Sequence, residues 1–108
     1  MAFGWFDTKQ VDALAQWILD DLLNRVPAAS LEQGGRKTSE RLHRMNEAVS
    51  DRVREFASAQ RPNFYQRARL ANRVKWGMAD SGYPDPFVTA FTSELITLVT
   101  VAGRSPRK

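Results

Sequence analysis

The feature that most constrains this 108-residue chain is the spacing of its apolar side chains, which recur every three or four residues in four separate stretches. At about 100° per residue this spacing gathers them on one face of a helix, whereas a half-buried strand needs strict alternation. From about Asp7 to Val26, the residues Val11, Leu14, Ala15, Ile18, Leu19, Leu22 and Val26 share a broad face. Asp7 with Gln10 three residues on, and Phe6 with Val11, have the spacing of a capped and stapled helix start. Pro27 ends the stretch.

A connection follows. In it, Ser30 with Gln33 marks a short helical turn, and the paired glycines Gly34-Gly35 interrupt any longer helix. The second stretch runs from Thr38 to Gln60 with Leu42, Met45, Val49, Val53 and Phe56 as its seam. Arg61-Pro62 breaks the helix, Asn63 caps the third stretch to Asp80, and Phe64, Ala68, Ala71, Val74 and Met78 turn inward. Ser81-Gly82-Tyr83-Pro84 is a stop and turn, after which Asp85-Pro86 opens the fourth stretch. That stretch is rich in β-branched residues, but Phe87, Val88, Phe91, Leu95, Leu98, Val99 and Ala102 fall on one helical face. A lone strand would also lack a partner, so the stretch is read as a helix closed by Gly103. Its opposite side, Thr89, Ser93, Thr97 and Thr100 with Ile96 nearby, is only weakly polar, which favours a central, covered position over an oligomer interface.

The expected fold is all-α: a small four-helix bundle-like single domain with helices at about 7–26, 38–60, 63–80 and 86–102. Mostly short connections suggest an up-and-down order. Residues 1–103 form the domain, and 104–108 are expected to be a disordered basic tail.

Charge is unevenly spread. Residues 1–33 carry two basic and five acidic side chains, and residues 34–75 carry eleven basic and four acidic ones. The basic middle points to an anionic partner, unless the acidic first helix pairs with the second and third and uses up that charge internally. With no cysteine, disulfides, thiolate catalysis and cysteine metal sites are excluded. The N-terminus MAFGWFD has no basic region followed by a long apolar run, and Leu95–Gly103 is too short an uncharged stretch for a membrane span. A cytoplasmic protein without a membrane span is therefore expected.

Catalytic patterns are weak. His43, the single histidine, has Glu40 and Glu47 in helical reach, but no nucleophile or second acid is in register. Asp20 and Asp21 are adjacent and diverge on a helix, so they cannot converge on a metal. Gly34-Gly35-Arg36-Lys37-Thr38 lacks the earlier glycine, the adjacent Gly-Lys and the preceding strand of a phosphate-binding loop. A helix-turn-helix reading of 63–102 fails because its second helix has no basic residue before Arg104, and Ser105-Pro-Arg-Lys is a single four-residue basic copy. No enzyme, cofactor, metal or small-molecule substrate is expected.

Two surface features remain. On the third helix Tyr65, Arg69, Arg73 and Trp76 share a side; with Arg36 and Lys37 they could contact phosphates and stack on exposed bases. Arg41, Arg44, Arg52 and Arg54 look scattered around the second helix rather than aligned. At the N-terminus, Phe3, Trp5 and Phe6 are either folded back over the bundle or a docking segment for a partner. The expected function is a non-enzymatic helical protein-interaction module with a protein partner or self-association; the alternative is a nucleic-acid binder using the basic-aromatic face.

Overall fold

The computed structural model describes residues 8–104. Five helices run through them: α1 (Lys9–Arg25), α2 (Ala28–Gln33), α3 (Arg36–Gln60), α4 (Phe64–Asp80) and α5 (Asp85–Arg104). Among the described residues there is no strand, and the chain is an all-α, bundle-like domain. The four expected segments are α1, α3, α4 and α5, and the short turn in the first connection is α2.

The punctuation residues act as their chemistry dictates. Gly34 and Gly35 take φ of 63° and 96°, a left-handed region open to glycine, and separate α2 from α3. Asn63 accepts from the Gln66 N–H at 2.8 Å while the Gln66 side chain accepts from the Asn63 N–H at 2.9 Å, a complete capping box for α4. Other boundaries shift. Ser30 lies inside α2 and donates to the Pro27 carbonyl at 2.7 Å instead of capping. Gly103 does not close the last helix, because α5 continues to Arg104 and Gly103 rests against Ala57. Asp7 and the Phe6–Val11 staple, like residues 105–108 of the expected tail, lie outside the described residues.

The packing order is a ring in which α1 touches α4 and α3, and α5 touches α3 and α4. The consecutive helices α3 and α4 make little contact and stand diagonally. Directions follow from matched residues. Asp12 meets Arg69, Leu19 meets Gly77 and Val26 meets Tyr83, so α1 and α4 run parallel. Val49 and Ser50 share a groove with Glu94 and Leu95, and Ala57 lies by Gly103, so α3 and α5 are also parallel. Gln10 shares a hollow with Gln60, and Arg25 one with Arg41, so α1 and α3 are antiparallel. Direction therefore alternates along the chain, but the bundle is not the neighbour-to-neighbour up-and-down order expected from loop length. The Arg61–Asn63 connection crosses the diagonal, helped by Arg61 at φ 46°.

The core fills the centre of this ring. Val11, Leu14, Ala15, Ile18, Leu22 and Val26 of α1 and its end are buried against Met45, Val49, Val53 and Ala57 of α3, with Leu70, Val74 and Met78 of α4 and Val88, Leu95 and Val99 of α5. One inward assignment fails: Phe64 is 77% exposed. Leu70 and Val74 set the buried direction of α4, which leaves Phe64 at the rim, and the buried Pro62 beside it covers the end of the bundle. Tyr83, expected only as a turn residue, is buried and donates from its hydroxyl to the Val26 carbonyl at 2.6 Å. It thereby satisfies an otherwise orphaned carbonyl at the end of α1.

Helix α5 is a corner of the ring rather than its centre. Val88, Thr92, Leu95 and Val99 are buried, while Thr89, Ser93, Ile96, Thr97 and Val101 are exposed. No helix of a four-membered ring is enclosed on all sides, which is why the expected central position is not found. By length and composition Asp85–Gly103, mean hydropathy 1.4, is long and apolar enough to cross a membrane; in this fold it packs on α3 and α4.

Candidate interaction surface on the fourth helix

The Tyr65, Arg69, Arg73 and Trp76 side chains do share a side of α4, as their spacing requires. The backbone places this side beside α1, and α1 brings an acid to it. Arg69 makes a two-pronged pair with Asp12, Nε–Oδ1 2.9 Å and Nη2–Oδ2 3.1 Å, and Arg73 Nε lies 3.4 Å from the same Oδ1. Such a fork is the strongest geometry an arginine offers a carboxylate.

Protonation equilibria register the contact. The hydrogen bond from Arg69, and then the charges of Arg69 and Arg73, hold the Asp12 carboxyl below its ordinary value against the opposing effect of partial burial. Arg69 is raised in turn, first by its hydrogen bond to Asp12 and to a smaller extent by Tyr65. One carboxylate thus answers two guanidinium groups, and the basic character of this face is partly cancelled. The acidic first helix does pair with a basic later one.

The aromatic groups remain exposed. Trp76 is 61% exposed and Tyr65 43%, with Lys75 Nζ 5.6 Å from the Trp76 ring centre. Trp17 of α1, by contrast, is partly buried and covered by Arg52, whose guanidinium carbon is 4.9 Å from the ring centre.

Arg36 and Lys37 are exposed in the first turn of α3, the helix diagonal to α4. The structure therefore brings together Tyr65, Arg69, Arg73 and Trp76 but places Arg36 and Lys37 elsewhere. Phe3, Trp5 and Phe6 lie outside the described residues. His43 stands 3.4 Å from Glu47, both well exposed, a surface pair one helical turn apart.

One grouping escaped the sequence reading. Arg41 and Arg44 are not scattered: with Asn24 and Arg25 of α1 they line one hollow of about 280 Å³ between α1 and α3. Their i, i+3 spacing on one helix was visible, but Arg25 joins them only through the antiparallel register of α1 on α3. Known protein families, curated proteins and solved structures yield no match to this chain.

Proposed function

We propose that this chain is a non-enzymatic helical interaction module whose α4 outer face receives a partner protein. The observation that carries the reading is the exposure of Trp76 and Tyr65 beside arginines whose charge is shared with Asp12. Tryptophan, tyrosine and arginine are the side chains that most often dominate protein interfaces, because they bury large area and retain a polar edge. Asp12 keeps Arg69 in place, so little side-chain freedom is lost on docking. The fitting partner has an apolar centre for Trp76 and an acidic rim for Arg73 and Lys75.

The test is affinity capture from the native host with the intact chain and with Tyr65→Ala and Trp76→Ala. One protein retained by the wild type and lost with both variants supports the proposal. Retention by all three chains, or no retained protein, counts against it.

A second reading, single-stranded nucleic acid on the same face, is favoured by the stacking capacity of Tyr65 and Trp76 and by the half-exposed Arg73. It requires salt-sensitive oligonucleotide binding that falls on Arg73→Ala. It is the weaker reading, because Asp12 stands where a phosphate would approach and Arg36 and Lys37 sit on the diagonal helix.

A further inference from the structure

The hollow between the C-terminal turn of α1 and the N-terminal half of α3 gathers Arg25, Arg41 and Arg44 with the Asn24 amide. Three guanidinium groups around one concavity repel one another, and natural surfaces usually intersperse acids among them. Among the described residues a single carboxylate takes part here: Asp21 accepts from Arg25 Nε at 3.0 Å. Neither Arg41 nor Arg44 has an ion pair among the described residues. Elsewhere most arginines are occupied, Arg69 and Arg73 by Asp12, Arg54 by Asp51, Arg67 by the Pro62 carbonyl and Arg52 by the Trp17 ring.

Asp21 is largely buried and its second oxygen, Oδ2, has no hydrogen-bond partner. This carboxylate is fixed low in the seam, holding Arg25 by Nε without reaching Arg41 or Arg44. Among the described residues the guanidinium Nη groups of all three arginines have no hydrogen-bond or ion-pair partner. Lys37, one turn before Arg41, continues the cationic row on the same side of α3.

The size and lining restrict what such a site can take. At about 280 Å³ it falls just below the range usual for drug-sized ligands, roughly 300–1,000 Å³. Among the described residues no aromatic side chain lines it, so they offer a nucleobase no platform to stack on. Guanidinium forks match phosphate oxygens in pairs, and an amide adds a neutral donor. We infer that Asn24, Arg25, Arg41 and Arg44 form a binding site for a compact, multiply charged phosphate anion. The site is independent of the α4 face, since it lies on the opposite flank of α1.

Titration of the intact chain with inorganic pyrophosphate at low ionic strength, followed by backbone amide shifts and calorimetry, tests this. Saturable binding is expected, with shifts centred on Asn24, Arg25, Arg41 and Arg44. Removing two charge-assisted donors with Arg41→Ala and Arg44→Ala together is expected to weaken it at least about tenfold. A charge-matched pair at the far end of α3, Arg54→Ala with Arg61→Ala, is expected to change it by less than about twofold. Absence of saturable binding, shifts centred elsewhere, or equal weakening in both pairs would falsify the site. The shift map uses the unaltered chain, so it stands whatever the variants do to folding. A short single-stranded oligonucleotide that binds these residues more tightly than pyrophosphate overturns the assignment to a compact anion.

Discussion

Helix α1 meets arginines at both ends, and the two meetings differ by the placement of a carboxylate. Near its start, Asp12 reaches across to α4 and satisfies Arg69 while drawing in Arg73. Near its end, Asp21 turns to its own Arg25 and leaves Arg41 and Arg44 of α3 unanswered. The five arginines of the two seams, Arg25, Arg41, Arg44, Arg69 and Arg73, thus have equal formal charge but unequal availability. Formal charge sets the long-range attraction to an anion; the register of the helices decides which cations are left to bind one.

The largest effect that separates the two seams is steric. At the α1–α4 seam the Leu19 side chain lies over Gly77 so closely that an added Cβ would overlap both its methyl groups. Gly77→Ala forces Leu19 to move, an overpacking cost of about 1–3 kcal/mol set against about 1 kcal/mol of helix propensity. A net loss near 1 kcal/mol in urea unfolding is expected, with Arg41 and Arg44 amide shifts unchanged. A stabilised variant would mean that Leu19 yields freely and that the seam is loose.

A smaller effect is electrostatic and depends on pH. Asp12 titrates below its ordinary value of 3.8, so its contribution to stability is fully present above that pH and is lost as pH falls through the lower folded-state value. Asp12→Asn is therefore expected to lower the urea midpoint near neutral pH. The two proteins should converge as the pH is brought below 3.8 and through the lowered folded-state value of Asp12. A gap that persists in acid would show that Asp12 acts through packing rather than charge.

The smallest effect belongs to the other seam. Arg41→Ala with Arg44→Ala removes exposed cations that have no ion pair among the described residues, so stability should change by less than about 0.5 kcal/mol. Its sign should be a gain at low salt that vanishes at high salt, as repulsion is screened. A loss of stability would indicate an anionic partner within the fold and would remove the contrast.

The helices were legible because their apolar spacing, capping asparagine and glycine breaks all act over a few residues. Ile18, Met45, Val53, Val74 and Val99 could be placed inside from period alone. Phe64 was misplaced because a wheel has one centre, whereas α4 buries a face shared between two neighbours. Tyr83 was hidden for a different reason: its hydroxyl is satisfied by Val26, a residue brought near only by the parallel course of α1 and α4. The Tyr65–Trp76 side of α4 was visible as a row, while its cancellation by Asp12 was visible only as a difference in charge between segments. The arginine hollow was not legible, because it depends on which residue of α1 faces which of α3.

The diagonal Arg61–Asn63 crossing has a consequence for how the chain reaches this shape. Because α1 pairs with α4, its Asp12 and Val26 find their partners 57 residues further on. A chain emerging from the ribosome completes α1 early and holds its apolar stripe with only α3 to cover it until the second half is made. Closing so long a loop must come before much of the reward, which places the search among non-local contacts and slows it relative to a bundle of equal length joined neighbour to neighbour.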